Sequence, residues 1–266
     1  MARYAAIFLV ILAAALITSS AGAGSVLLND GQPHEIRGTT NVDDTILVRD
    51  AGCGSLPSPR ADCGSPGDPT QLELLDNAMV NYIESFDAST ITLSSGEVKW
   101  SAWAYGSGKL DIKDGYVGYG FFAYDDASVT MRAGTVLGTS DLYDTASLTM
   151  TGGWVYTVYT RDDSTFTLRG GDPGGVVAKE NSRVEILGKD FMLDDVAVPY
   201  GPIAASDGWL TGTLESDEAL AISITRDPEA SITLVPEAAA PSPSGSLHGA
   251  RFPRTKPGRP LSTPRP

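Results

Sequence analysis

The phrase "DDASVTMRAGTV" at residues 125–136 returns nineteen residues later as "DTASLTMTGGWV" at residues 144–155. Within each phrase apolar and polar residues alternate, which predicts a β-strand with one buried face. The central apolar-polar-apolar triplet recurs in steps of 19, 19, 19, 19, 18 and 18 residues, at 72–74, 91–93, 110–112, 129–131, 148–150, 166–168 and 184–186. A fixed period of this kind is typical of repeat architectures, in which each unit stacks on its neighbours.

The residues around the triplet repeat with the same period. Glycine, which adopts the positive φ of tight turns, recurs after the triplet at 96, 115, 134, 153 and 171. An aromatic residue recurs before it at 86, 105, 124 and 143, followed by aspartate or glycine at 87, 106, 125, 144 and 162. In a coil that advances one rung per repeat, each residue lies about 4.8 Å above its counterpart, so like side chains stack in columns. A meander would bring identical positions together only in alternate strands.

We therefore predict an all-β fold in which residues 24–188 form a single-stranded parallel β-helix, a β-solenoid of about 19 residues per rung. The triplet Ile46-Leu47-Val48 is interpreted as a weaker first copy of the repeat. After Gly188 the period is lost. Residues 189–237 are predicted to form a small cap of β-strands that protects the open edge of the last rung.

The two ends of the chain differ from the repeats. Residues 1–23 combine Arg3, an apolar run and a small-residue site at 21–23, which is typical of a cleaved secretory signal peptide. The alternative, an uncleaved membrane anchor, requires a longer apolar run. Residues 238–266 are rich in Pro and Arg and contain no acidic residue, so we expect this tail to be disordered.

Cys53 and Cys63 are the only cysteines of the chain, and they enclose a loop rich in Pro, Gly and Ser at 53–63. Secretion permits disulfide formation, and a bond between Cys53 and Cys63 is the favoured interpretation. The alternative is a zinc site, which requires about four ligands. The chain offers only His34 and His248 as further histidine ligands, which disfavours zinc.

The body of the chain is strongly acidic. All 33 Asp and Glu lie between Asn29 and Glu237, together with 13 Lys and Arg, so the formal charge of this stretch is −20. Such a surface repels nucleic acid and anionic lipid, which excludes nucleic acid as the expected partner. It suits a secreted solute, a cation-binding protein or a partner of basic groups.

The chain resembles bacterial surface proteins of the PEP-CTERM type, which are sorted by exosortases. The resemblance rests on "VNYIESFDASTITLSSG", the repeated phrase, "GWLTGTLESDEALAISI" and "ITLVPE", and covers residues 31–237. It implies a role on the cell surface or in the extracellular matrix of a Gram-negative bacterium, and it implies no catalytic residues. Family members continue with a second Pro, an apolar spanning helix and Arg residues, whereas Ala238 follows Glu237 here. We therefore expect no membrane anchor in the chain as written, or an anchor lost by a frameshift.

Two sets of outward-facing residues are candidates for ligand binding. The first is a face of Thr hydroxyls flanked by cations that suits extracellular acidic polysaccharide: Lys113, Thr130, Arg132, Thr149 and Arg169. Its alternative explanation is a solvated strand face in which Thr reflects β-propensity. The second is the corner column Asp125, Asp144 and Asp162, whose stacked carboxylates could bind calcium. The alternative is that each carboxylate bonds turn backbone.

An enzymatic function is disfavoured by the residues available. The adjacent carboxylates at 125–126, 162–163 and 194–195 lie where turns favour Asp, and His34 is the only histidine of the body. We expect a secreted structural or adhesive protein without catalytic activity, and no cofactor unless the Asp column binds calcium. The alternatives are a polysaccharide lyase or hydrolase, or a carbohydrate-binding module, on the same fold.

Overall fold

The computed structural model describes residues 25–37, 41–53 and 67–237. The predicted signal peptide and the predicted disordered tail lie outside these ranges. In the described residues the chain consists of strands, turns and irregular segments. Nowhere in these ranges is there a helix with the length and hydropathy needed to cross a membrane.

The described part of the chain contains 21 strands. They are β1 Ser25–Leu28, β2 Pro33–Ile36, β3 Asn41–Val48, β4 Gln71–Leu74, β5 Met79–Ser85, β6 Thr90–Leu93, β7 Glu97–Ala104, β8 Lys109–Ile112, β9 Tyr116–Val117, β10 Gly120–Ala123, β11 Ser128–Met131, β12 Thr135–Leu142, β13 Ser147–Thr160, β14 Thr165–Pro173, β15 Gly175–Ala178, β16 Arg183–Leu193, β17 Val196–Ala197, β18 Gly201–Pro202, β19 Asp207–Leu214, β20 Ala219–Arg226 and β21 Ser231–Pro236.

These strands form a parallel β-solenoid whose rungs have three sides. The first side contains β2, β4, β6, β8, β11, the beginnings of β13, β14 and β16, and finally β21. The short second side contains β9, the beginnings of β3, β5, β7 and β12, the middle of β13 and the end of β14. The third side contains β1, the ends of β3, β5, β7, β12 and β13, and then β10, β15 and β20.

The register confirms the predicted period of about 19 residues. On the first side Val129 pairs with Leu110 below it and Leu148 above it, and Met131 pairs with Met150. The apolar members of each triplet face inward and are at most 2% exposed, so they form continuous buried columns along the axis. Burying each such side chain contributes roughly 1.5–3 kcal/mol, and this burial requires the neighbouring rungs because one rung cannot cover its own inner face.

The interpretation of Ile46-Leu47-Val48 as a first copy of the triplet is wrong. These residues belong to the third side, where Ile46 pairs with Ile83. The corresponding first-side strand is β2, whose His34 pairs with Leu72 and whose Ile36 pairs with Leu74. His34 replaces an apolar residue, and the long insertion between β3 and β4 breaks the period. Both features hide this rung from a search for regular spacing.

The parallel ladders extend beyond Gly188, where the sequence period ends. β20 continues the third side on β15, and β21 continues the first side on β16. The intervening chain departs from the coil, because β17 and β19 pair antiparallel with β16, and β19 also pairs antiparallel with β20. Residues 189–237 therefore combine a last, incomplete rung with antiparallel strands that lie against it.

Candidate functional site

Asp125, Asp144 and Asp162 lie in one column, at the corner between the third and first sides. Their φ values are 57°, 54° and 52°, in the left-handed region that Asp tolerates better than most residues. The N–H of Asp125 donates to the Asp144 carboxylate at 3.1 Å, and the N–H of Asp144 donates to the Asp162 carboxylate at 3.0 Å. Gly106 begins this ladder by donating to Asp125, and Glu180 extends it by accepting from Asp162.

The carboxylates of this column therefore accept hydrogen bonds from backbone N–H groups, but the donor lies in the neighbouring rung rather than in the same turn. One carboxylate oxygen of each aspartate is already engaged by a neighbouring N–H. Among the described residues no group of three or more His, Cys, Asp or Glu is placed to hold a metal ion. Calcium binding by this column stays a hypothesis.

The aromatic column forms a continuous stack at the same corner. Ring centroids are 5.0 Å apart between Phe86 and Tyr105, 5.1 Å between Tyr105 and Tyr124, and 4.7 Å between Tyr124 and Tyr143. The planes of neighbouring rings lie within 11° of parallel. The predicted ladder of stacked rings is confirmed.

An arginine lies at each end of this stack, a feature that the sequence analysis missed. The Arg49 guanidinium lies 5.1 Å from the Phe86 centroid, and the Arg161 guanidinium lies 5.4 Å from the Tyr143 centroid. Arg161 also donates to the nearly buried Asp141 at 3.1 Å. Burial opposes the charge, but this hydrogen bond raises the pKa of Arg161. The signal was available, since Arg161 follows Tyr143 by 18 residues, the step of its rung.

The predicted ligand face is present on the first side, but its cations are paired. Thr130 and Thr149 are neighbours in register and face outward. Arg132 makes two bonds to the Asp111 carboxylate, at 2.5 and 2.8 Å, and this bond raises the pKa of Arg132.

The two other predicted cations of this face also have acidic partners. Lys113 lies 3.9 Å from Glu73, and Arg169 lies 2.7 Å from Glu215. These partners reduce the positive potential that an acidic polymer requires, so the face is a mixed-charge surface rather than a cationic one.

The second side carries a surface rich in exposed aromatic residues. We define this second-side aromatic surface by Trp100, Tyr116, Tyr119, Leu137, Trp154 and Tyr156. Exposed fractions are 48% for Trp100, 57% for Tyr119, 47% for Leu137 and 57% for Tyr156, all large for apolar side chains. Exposed apolar surface that is contiguous commonly marks an interaction site.

The register relates two of these residues along the coil axis. Tyr116 pairs with Thr135, which pairs with Trp154, so these residues form one outward column. The Trp154 and Tyr156 ring centroids lie 6.4 Å apart. At the corner that leads to the third side, the N–H of Tyr119 donates to the carbonyl of Trp100 one rung earlier, at 2.8 Å.

A shallow depression of about 300 Å³ adjoins this surface. It is lined by Asn77, Ser95, Glu97, Asp114 and Tyr116, together with two glycines of the turn column. The Tyr116 ring leans across the neighbouring Gly118, with Cε1 3.4 Å from the position that a Cβ would occupy there. The depression therefore combines amide, hydroxyl and carboxylate groups with one edge of the aromatic surface.

The sequence analysis did not find this surface. Aromatic residues recur only in part of each column: Trp100 and Tyr119 are 19 residues apart but Gly138 follows, and Thr135 separates Tyr116 from Trp154. A search for identical residues at fixed spacing therefore passes over them. The available signal was the density of Trp and Tyr in the segments between the valine column and the next corner.

The cysteine loop is described only at one end. Cys53 is buried, with 1% of its surface exposed. Cys63 lies outside the described residues, so the disulfide stays a prediction.

The fold and the columns described above define the chain as a β-solenoid repeat protein. Comparison with protein-family models, with curated proteins and with solved structures found no match to this chain. The resemblance to the PEP-CTERM type is therefore an expectation from the residues alone.

Proposed function

We propose that the chain is a secreted structural or adhesive protein of a bacterial surface or extracellular matrix, without catalytic activity. The observation that supports this role is that the repeated Asp and Tyr columns make contacts between neighbouring rungs of the solenoid. The Asp carboxylates bond the backbone of neighbouring rungs, and the Tyr rings stack between two arginines. The repeated Asp and Tyr side chains thus connect neighbouring rungs along the coil axis.

The acidic body supports an extracellular setting for this role. A formal charge of −20 between Asn29 and Glu237 keeps copies of the protein apart and soluble, and disfavours adsorption to nucleic acid. The predicted signal peptide at residues 1–23 supports export.

We further propose that the chain is related to exosortase-sorted surface proteins. The segments that suggested this are strands of the last rung and its cap, "GWLTGTL" within β19 and "ITLVP" within β21. An exosortase or a polysaccharide-synthesis operon beside the gene is the expected observation. A neighbourhood of cytoplasmic metabolic genes alone would argue against this relationship.

The localisation is tested by fractionating the source cells and detecting the protein with an antibody in cytoplasm, envelope, matrix and medium. We expect it in the matrix, on the surface or in the medium, and a deletion strain should form a less cohesive matrix. Recovery in the cytoplasm would contradict the proposal. The absence of catalysis is tested by incubating the protein with pectin, alginate and glucans, because release of reducing ends or of unsaturated products would reveal a hydrolase or a lyase.

A further inference from the structure

We propose that the second-side aromatic surface, with the adjoining depression, binds a neutral polysaccharide chain that runs along the solenoid axis. This inference deepens the proposed function, since it rests on an extracellular role and names the site and ligand class through which adhesion would act. It differs from the predicted ligand face, which lies on the first side and was expected to take an acidic polymer.

The aromatic residues provide the apolar part of such a site. The C–H faces of a sugar ring are apolar and flat, and they pack on the faces of Trp and Tyr. Trp100 and Tyr119 each expose about half of their surface at one corner, and the rings of Trp154 and Tyr156 lie 6.4 Å apart at an angle of 58°. Rigid aromatic side chains provide contact area at a low cost in conformational entropy.

The depression provides the polar part. Sugar hydroxyls both donate and accept hydrogen bonds, so they suit a mixture of donors and acceptors. Asn77 provides an amide, Glu97 a carboxylate and Tyr116 a ring. The Ser95 hydroxyl already accepts from the Asp76 N–H, and one Asp114 oxygen accepts from the Gly115 N–H, which leaves the Ser95 proton and the other Asp114 oxygen for a sugar. The lining of the depression is mostly polar, so the apolar contact of such a site comes from the neighbouring aromatic surface.

The negative charge of the protein distinguishes between the possible ligands of this surface. Anionic polysaccharide would be repelled by Glu97, by Asp114 and by a body whose formal charge is −20. A second copy of the chain carries the same charge and would be repelled as well. A neutral glycan avoids both penalties.

The test is affinity electrophoresis of the purified protein in native gels. The gels contain mixed-linkage β-glucan, hydroxyethyl cellulose, galactomannan or, for comparison, the anionic polymer alginate. We expect retardation by at least one of the three neutral polymers and none by alginate. No retardation by any neutral polymer, or stronger retardation by alginate, would overturn the proposal.

Matched variants locate the site. Trp100→Ala combined with Tyr119→Ala should weaken binding at least tenfold. Trp209→Ala, which removes an equally exposed Trp from the cap strand β19, should leave it unchanged. Thermal unfolding of each variant distinguishes lost binding from lost folding. Asp114→Asn is a milder change in the depression and is measured in the same way. Equal binding by the double variant and the Trp209 variant would assign any retardation to another surface.

Localisation distinguishes failure of this inference from failure of the proposed function. If the native protein is retained in the matrix and the double variant is retained equally, the binding surface is wrong but the extracellular role stands. If the native protein is found in the cytoplasm, the extracellular role fails whatever the gels show.

Discussion

The carboxylate of Asp144 accepts a hydrogen bond at 3.1 Å from the backbone N–H of Asp125, which lies one rung earlier. The same bond joins Asp162 to Asp144. Each aspartate therefore satisfies a backbone donor of the neighbouring rung, and also adopts the positive φ that the corner requires. The need for a hydrogen-bond acceptor and the need for positive φ together explain why Asp occupies this column. Few side chains tolerate the left-handed region and also offer a carboxylate or amide oxygen.

Substitutions at Asp144 should separate these two conditions. Asp144→Asn keeps an acceptor oxygen and tolerates positive φ, so it should change the unfolding free energy by less than about 0.5 kcal/mol. Asp144→Gly loses the acceptor without strain and should cost about 1 kcal/mol. Asp144→Ala loses both and should cost about 2 kcal/mol. Urea denaturation measures the series, and equal costs for Gly and Ala would show that backbone strain plays no part.

Calcium should have little effect on stability. The carboxylates of Asp125, Asp144 and Asp162 already accept backbone hydrogen bonds, so a cation would have to compete with them or use their second oxygens. We expect equal melting temperatures in millimolar calcium and in chelator. A calcium-dependent rise that disappears in Asp144→Asn would establish a metal site in this column.

The pH dependence of stability should include a contribution from Glu84 on the third side. Burial raises the pKa of Glu84 above its ordinary value of 4.5. Both folded and unfolded states bind the proton below that value, but as pH rises the unfolded state loses it first. Stability from the protonated carboxyl is therefore present at acid pH and is lost as pH rises through the folded-state pKa.

Glu84→Gln should remove this effect. At pH 7 the variant should melt at a higher temperature than the native protein, and the difference should shrink as pH falls through the folded-state pKa and be lost by about pH 4.5. Glu229→Gln, at an exposed turn of the last rung, is the matched control. A difference between Glu84→Gln and the native protein that is constant with pH would indicate a packing effect instead.

The repeated part of the fold was predictable because stacking forces identical positions into contact. Val129 and Leu148 share a column, so both must be apolar, and the period of 19 residues can be read directly from the sequence. The first rung was not predictable, because His34 occupies the apolar position there and an insertion breaks the spacing. The extra rung formed by β20 and β21 was missed because an antiparallel excursion separates it from β16.

The candidate site was less predictable than the fold. Trp154 and Tyr116 lie in one outward column, but Thr135 lies between them and Glu97 precedes them. Outward positions vary more freely because no neighbour requires the same volume, so this surface leaves only a broken periodic signal, the 19-residue step from Trp100 to Tyr119. The pairing of Arg132 with Asp111 was equally hard to predict. The two residues are 21 positions apart, and the contact depends on the direction in which the Arg132 side chain extends.

The aromatic stack should contribute measurably to stability through Tyr124. Its ring has a neighbour on each side, at centroid distances of 5.1 and 4.7 Å. Stacked pairs contribute about 0.5–1.5 kcal/mol each beyond area burial, so Tyr124→Ala should cost at least about 2 kcal/mol in urea denaturation. Tyr124→Phe keeps the ring, and Phe86 already occupies this column, so most of the stability should remain. A similar loss for Ala and Phe would assign the effect to the hydroxyl group.

The direction of side chains on the first side is tested by substituting Asp at two adjacent positions. Met150 is fully buried, whereas Thr149 is half-buried, faces outward and has Thr130 and Thr167 as its register neighbours. Met150→Asp would place a charge among apolar columns and should cost more than about 3 kcal/mol or prevent folding. Thr149→Asp keeps its charge in water and should cost less than about 1 kcal/mol. Circular dichroism and thermal melting compare the two variants. Comparable losses at both positions would contradict the alternation on which the register of every rung depends.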